Sequence, residues 1–214
     1  MKKEKTGFRR VLVYLMGLAV MAAGSNLFLK ADLGVSPSCT AALLLTRLFP
    51  ATAGGYALFN FIVNFCFLCA EIAVEGKMEK RYPVQFLLIF FYSLFIRWTS
   101  LLFESIVPEG VFARVVLCMA ACLVLGAGIS LTVNSGLAVL PVEGFVLSVA
   151  QKCGARFGTV RVETEVSVTV LSGVLSVLFI HNMSVIGIGT VIAALFTGTI
   201  TNWFTAVFSR IKLA

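Results

Sequence analysis

Hydrophobic positions in this chain fall into long blocks, at residues 11–29, 55–74, 83–103, 111–133, 158–180 and 184–208. Each is close to the ~20 residues that a helix needs to cross hydrocarbon. Two shorter apolar segments, 38–49 and 142–153, follow Pro37 and Pro141, a residue suited to the first turn of a helix. Each holds 12 residues. At 1.5 Å per residue such a helix is about 18 Å long, too short for a hydrocarbon core ~30 Å thick. The pattern predicts an all-α membrane protein with six transmembrane helices plus two short re-entrant or broken helices.

The two prolines belong to a phrase written twice, 104 residues apart. Lys30-Ala31-Asp32-Leu33-Gly34-Val35-Ser36-Pro37 returns as Asn134-Ser135-Gly136-Leu137-Ala138-Val139-Leu140-Pro141. Without gaps, that offset gives ten identities over positions 20–54, among them Gly24/Gly128, Leu33/Leu137 and Gly54/Gly158. The chain therefore reads as one membrane domain over 1–214, with repeat 1 at about 8–105 and repeat 2 at about 110–209. Three spans per repeat is an odd number, so the second copy enters the membrane inverted. Residues 75–82 form the hinge between spans two and three. Eight crossings, with both short helices spanning fully, would move that hinge to the other side.

Composition agrees with lipid as the main solvent. Hydrophobic residues make up 59% of the chain and charged ones 13%, where soluble domains carry about a quarter. The net charge of +7 would suggest nucleic acid in a soluble protein. Here Lys2, Lys3, Lys5, Arg9 and Arg10 precede the first span, and Arg210 and Lys212 follow the last. That is a positive-inside pattern with both termini cytoplasmic, so no nucleic-acid partner is expected. Lys77, Lys80, Arg81, Lys152, Arg156 and Arg161 then fall on the cytoplasmic side, with Glu104 and Glu109 outside. Residues 1–24 resemble a signal peptide, but the apolar run is long and the repeat uses it, so it reads as a retained helix.

Candidate chemistry centres on the repeated phrase. Irregular backbone at membrane depth persists only where protein or a wet cavity satisfies its N–H and C=O groups. Asp32, Gly34, Ser36 and Ser38 in the first break, and Asn134 and Glu143 in the second, are the candidate solute-binding groups. Glu143 sits where it would also cap a helix N-terminus. Asp32 lies near Lys30, and a local ion pair is its simplest use. Arg161 and Glu165 are four apart on one helical face and can pair. Proton coupling through Glu143 or Glu165 would require a carboxyl pKa raised by burial. Asn60 and Asn64, one turn apart, suit hydrogen bonding between helices, with pore lining second. Glu71 falls within reach of the basic 75–82 hinge. Cys66-x-x-Cys69 has no nearby histidine, since His181 is distant, so neither metal nor cofactor is expected. No catalytic constellation is visible, and an enzyme ranks third among the readings.

The run from Lys30 to Pro37 resembles the "ADLGxSP" signature of the YczE/YyaS/YitT-like bacterial membrane proteins. Val160-Arg161 with Glu165, and Gly187-Ile188-Gly189-Thr190, are similar to their second-half motifs. The resemblance implies a multi-pass protein of the bacterial cytoplasmic membrane with a suspected role in transport. Those proteins often carry Trp-Asp after the first Ser-Pro, where this chain has Ser38-Cys39. Position 39 maps onto Glu143, so the acid is kept in the second half alone. The leading expectation is a secondary transporter of a small solute, with a midplane site between two inverted repeats. The alternative is a non-transporting membrane protein that binds lipid or scaffolds a partner. A homo-oligomer is compatible with either.

Overall fold

The computed structural model describes residues 2–137, 139–181 and 185–211. Ala138 of the second phrase, Ser184 at the start of the last predicted span, and Lys212 lie outside the described residues. Eight helices follow in order: α1 (Lys2–Ala31), α2 (Thr40–Leu48), α3 (Gly55–Glu75), α4 (Arg81–Leu102), α5 (Gly110–Ser135), α6 (Pro141–Cys153), α7 (Phe157–Ile180) and α8 (Ile188–Ile211). A single 3-10 turn, Pro37–Cys39, leads into α2. Six helices, all but α2 and α6, are long and apolar enough to cross a membrane. The short segments at 38–49 and 142–153 match the turn plus α2, and α6.

Internal symmetry is visible in how the helices pack. α1 packs on α4 as α5 packs on α8; α2 meets α3 as α6 meets α7; α2 meets α7 as α6 meets α3. The axis relating the halves passes through the crossing of α1 and α5. There, Gly24 lies against Leu125, and Gly128 lies against Met21. Subtracting the 104-residue offset turns the second contact into the first, with the helices exchanged. A Cβ on Gly24 would stand 2.7 Å from the Leu125 nitrogen, and one on Gly128 would stand 2.5 Å from the Met21 nitrogen. Small residues let these two backbones touch. One pair departs from symmetry: α3 packs along α4, whereas α7 and α8 make no comparable contact. The lipid-facing character of the last helix follows, since its apolar stretch is only 6% buried against 61% for α1.

Each break turns the chain back into the membrane. α1 ends at Ala31, and Asp32 and Gly34 adopt left-handed backbone at φ 50° and 101°. Gly136, at φ 62°, closes α5 at the position equivalent to Asp32. At Gly34 glycine is required twice over. Its φ disfavours any side chain, and a Cβ would run into the Thr190 hydroxyl and come within 2.8 Å of the Gly187 nitrogen. That close approach lets the Gly189 N–H donate to the Leu33 carbonyl at 2.7 Å. In the other half, Gln85 Nε2 donates to the Val139 carbonyl at 3.3 Å. Gln85 and Gly189 are also 104 apart. Both breaks thus have a carbonyl satisfied from the equivalent helix, once by backbone and once by a side chain.

Beyond each proline the helix returns to the face the chain had reached. Arg47, at the far end of α2, pairs with Asp32 at 2.8 Å. Lys152, in the last turn of α6, donates to the Val74 carbonyl near the end of α3 at 3.0 Å. Both short helices are therefore re-entrant. The expected pairing of Asp32 with Lys30 does not occur. Residues two apart near a helix end do not face each other. Lys30 instead donates to the Glu104 carbonyl at 3.1 Å, while the left-handed turn swings Asp32 toward Arg47 and, at 3.6 Å, Arg114.

Candidate functional site

The tips of the two re-entrant segments meet inside the bundle. Ser36, Ser38 and Cys39 of the first line a chamber of about 70 Å³ together with Leu140, Val142 and Glu143 of the second. Asn60 and Asn64 of α3, Tyr92 of α4, Arg161 of α7 and Thr197 of α8 complete its polar wall. A second cavity of about 290 Å³ is lined by Tyr14, Thr132, Gly136 and Leu137. These residues belong to the beginning of α1 and the end of α5, so this vestibule lies toward the face where α1 starts. Met21, Ile129, Leu140, Glu143 and Arg161 line both spaces. Three apolar side chains and one pair of opposite charges form the partition between them.

Charge in the site is unevenly satisfied. Glu165 accepts from Ser38 Oγ at 3.0 Å and pairs with Arg161 Nε at 3.2 Å. The pairing of Arg161 with Glu165 across one helical turn is thus present, and Ser38 ties it to the first break. Glu143 is partly buried in the first turn of α6. Its Oε2 is sealed from solvent and has no hydrogen-bond partner among the described residues. In a low-dielectric interior a carboxylate oxygen without a partner is costly. Beside this cluster, Pro37, Val162, Glu165, Val166, Thr190 and Val191 line an apolar groove of about 330 Å³ between α7 and α8.

Four of the eight sequence candidates, Ser36, Ser38, Glu143 and Arg161, line the chamber, and Glu165 joins them by hydrogen bonding. Gly34 supports the break from outside it, packed on Gly187 and Thr190. Asp32 lies at the far surface, its side chain 53% exposed. Asn134 donates to the Ser130 carbonyl within α5 at 2.9 Å and lines neither cavity. Asn60 and Asn64 bond within α3, not between helices, Asn64 Nδ2 donating to the Asn60 carbonyl at 2.9 Å. Their amides face the chamber because one helical turn separates them. Residue type alone does not mark Tyr14, Cys39, Tyr92 and Thr197. Their hydroxyl and thiol groups look like ordinary helix packing until the fold assembles them.

A polar network behind the second break is larger than the sequence suggests. Glu71 is fully buried, accepts from Gln85 Nε2 at 3.1 Å, and faces Arg81 at 3.2 Å. Arg81 also pairs with Glu75 and, at 3.1 Å, with Glu79. Glu75 accepts from Ser148 at 2.6 Å and Tyr82 at 2.8 Å. The reach of Glu71 to the 75–82 hinge is as expected, but its role in holding α6 is new. Gly144 of α6 makes this contact possible, because a Cβ there would run into the Glu71 carboxylate and stand 2.7 Å from Gln85 Nε2. Gly144→Ala should therefore destabilise the protein by about 1–3 kcal/mol through overpacking. Thermal unfolding of the purified protein measures this, and adding Glu71→Ala should recover part of the loss if the clash is the cause. Purely additive losses would contradict it.

Fold and site together define a multi-pass helical membrane protein made of two inverted repeats around a shared polar chamber. The chain matches the Family of unknown function (DUF6198) over residues 8–206 and belongs to that family. It is also similar to an uncharacterised protein of Haemophilus influenzae, 24% identical over 209 residues that cover 95% of this chain and 87% of the relative. No solved structure matches the chain.

Proposed function

We propose that this protein is a secondary transporter of a small solute, bound where the two breaks meet. The observation that carries the reading is the shared chamber: one tip from each inverted repeat, with a vestibule on one side of the Glu143/Arg161 partition. Broken helices at the interface of inverted repeats are the usual place for a transported solute, because rocking one repeat against the other exposes such a site alternately. Ser36, Ser38, Glu143, Arg161 and Glu165 form the binding surface, and Asp32, Gly34 and Asn134 shape the breaks. Glu143 is the coupling carboxylate. The relationship to the YczE/YyaS/YitT-like proteins, and with it a bacterial cytoplasmic membrane, belongs to the same reading.

Reconstituted protein should carry solute across the bilayer. A solute that raises the apparent melting temperature of the purified protein binds its native state. That solute should accumulate in proteoliposomes and not in protein-free vesicles. Stabilisation without flux would refute transport. Orientation is tested separately: both termini cytoplasmic places the α3–α4 hinge inside. A cysteine at Lys80, with the native cysteines replaced, should react with an impermeant maleimide only after cells are permeabilised.

The α7–α8 groove supports a second reading, lipid binding. It is apolar, borders bilayer-facing helices, and has the Glu165 carboxylate in its wall. Here Val166→Trp should displace a lipid that survives detergent extraction, as seen by native mass spectrometry, without affecting solute flux.

A further inference from the structure

The vestibule and the chamber share two side chains of opposite charge that are not bonded to each other. Glu143 presents Oε2 with no partner among the described residues. Arg161 commits Nε to Glu165 at 3.2 Å, and its two terminal amino groups have no partner among the described residues. Both side chains line both spaces. Tyr14, 1% exposed, lines the vestibule with a hydroxyl that also has no hydrogen-bond partner among the described residues. Glu143, Arg161 and Tyr14 thus place a carboxylate, a guanidinium and a hydroxyl in the walls of these spaces.

The charge balance indicates which occupant. Counted in their ionised forms, as an ammonium seated on Glu143 would hold it, Glu143 and Glu165 bring two negative charges and Arg161 one positive. The N-termini of α2 and α6 meet at the chamber and contribute about half a positive charge each. The sum is about zero. A solute with net charge of either sign would leave that charge uncompensated at low dielectric, which is strongly unfavourable. A neutral polar solute would leave the carboxylate and the guanidinium unmatched. We propose that the solute is a small zwitterion, bearing one ammonium and one carboxylate, with the ammonium on Glu143 and the carboxylate on Arg161. The spaces of about 290 Å³ and 70 Å³ suit a molecule at the small end of pocket-bound ligands. The inference names the occupant of the transport site and rests on that reading for its location alone.

Thermal unfolding of the full-length protein in detergent tests it, with free glycine, alanine, β-alanine and glycine betaine as zwitterions. Propylamine and propionate, at equal concentration, carry one charge each. At roughly a hundredfold excess over its Kd, at least one zwitterion should raise the melting temperature by about 5 °C or more. The two singly charged probes should not. Glu143→Gln and Arg161→Gln should each cut the shift to about half or less. Because Arg161→Gln also breaks the Glu165 pair, Arg161→Lys is the second variant, and it should keep more of the shift than Arg161→Gln. No zwitterion response, an equal response to propylamine or propionate, or an undiminished shift in either neutralised variant overturns the proposal. The two readings fail separately: a zwitterion that binds without flux refutes transport alone, and flux of a singly charged solute refutes the zwitterion alone.

Discussion

Glu143→Gln weakens solute uptake roughly 10- to 100-fold at low solute concentration and leaves the protein as stable as the wild type, or more stable. Both halves of this expectation follow from the surroundings of one oxygen. Glu143 Oε2 is sealed and has no hydrogen-bond partner among the described residues. Replacing the carboxylate by an amide removes the desolvation penalty of a charge with one orphaned oxygen, on the order of a few kcal/mol or less. The amide keeps the shape of the side chain. A solute group held by the carboxylate loses a charge-assisted hydrogen bond, about 1.5–3 kcal/mol, or roughly 10- to 100-fold in affinity. If the residue served only as a cap for α6, the signs would reverse. Stability would then fall by about 1 kcal/mol as the cap weakened, and uptake would persist. Paired measurements of melting temperature and proteoliposome uptake separate the two roles.

Gly128→Ala gives the largest expected loss of stability. The new Cβ would stand 2.5 Å from the Met21 nitrogen and 2.9 Å from its Cα. These are backbone atoms of the most buried helix, so no side-chain rotation relieves the contact. Forcing α1 and α5 apart should cost about 3 kcal/mol, at the upper end of overpacking penalties. Gly24→Ala presses Leu125 in the equivalent way, its Cβ 2.7 Å from the nitrogen. The double variant should cost less than the sum, since one separation of the helices relieves both contacts. Gly198→Ala on the exposed side of α8 is the control. Nothing lies within 4 Å of its Cβ, and alanine is the better helix former by about 1 kcal/mol. Its melting temperature should rise slightly.

Much of the architecture is legible in the chain because membrane helices are read from length and hydropathy alone. The repeat added what hydropathy lacks. Two prolines 104 residues apart mark where both re-entrant helices begin, and an odd number of spans per repeat requires inversion. Within the site, the Arg161–Glu165 pair follows from helical spacing, and Glu143 from an acid placed in an apolar segment. The directions of Asp32 and Asn134 are not legible in this way. Both are polar residues in the repeated phrase, but the left-handed turn after Ala31 sends Asp32 outward to Arg47. Asn134 folds back on Ser130 within its own helix. Such directions depend on backbone dihedrals and on which neighbour arrives, neither of which one sequence displays. Glu71 shows the same limit. Its distance to the hinge was readable, but its contact with Gly144 depends on how α6 docks on α3.

The opposed entry of the two breaks is tested most directly by sidedness. In a protein whose six native cysteines are replaced, single cysteines are placed at Asp32, exposed after α1, and at Leu137, exposed after α5. An impermeant maleimide is then applied to sealed vesicles of one orientation, before and after permeabilisation. The inverted repeat predicts one cysteine labelled from outside and the other only after permeabilisation. Labelling of both from the same side would contradict it, and with it a site built where the two breaks meet.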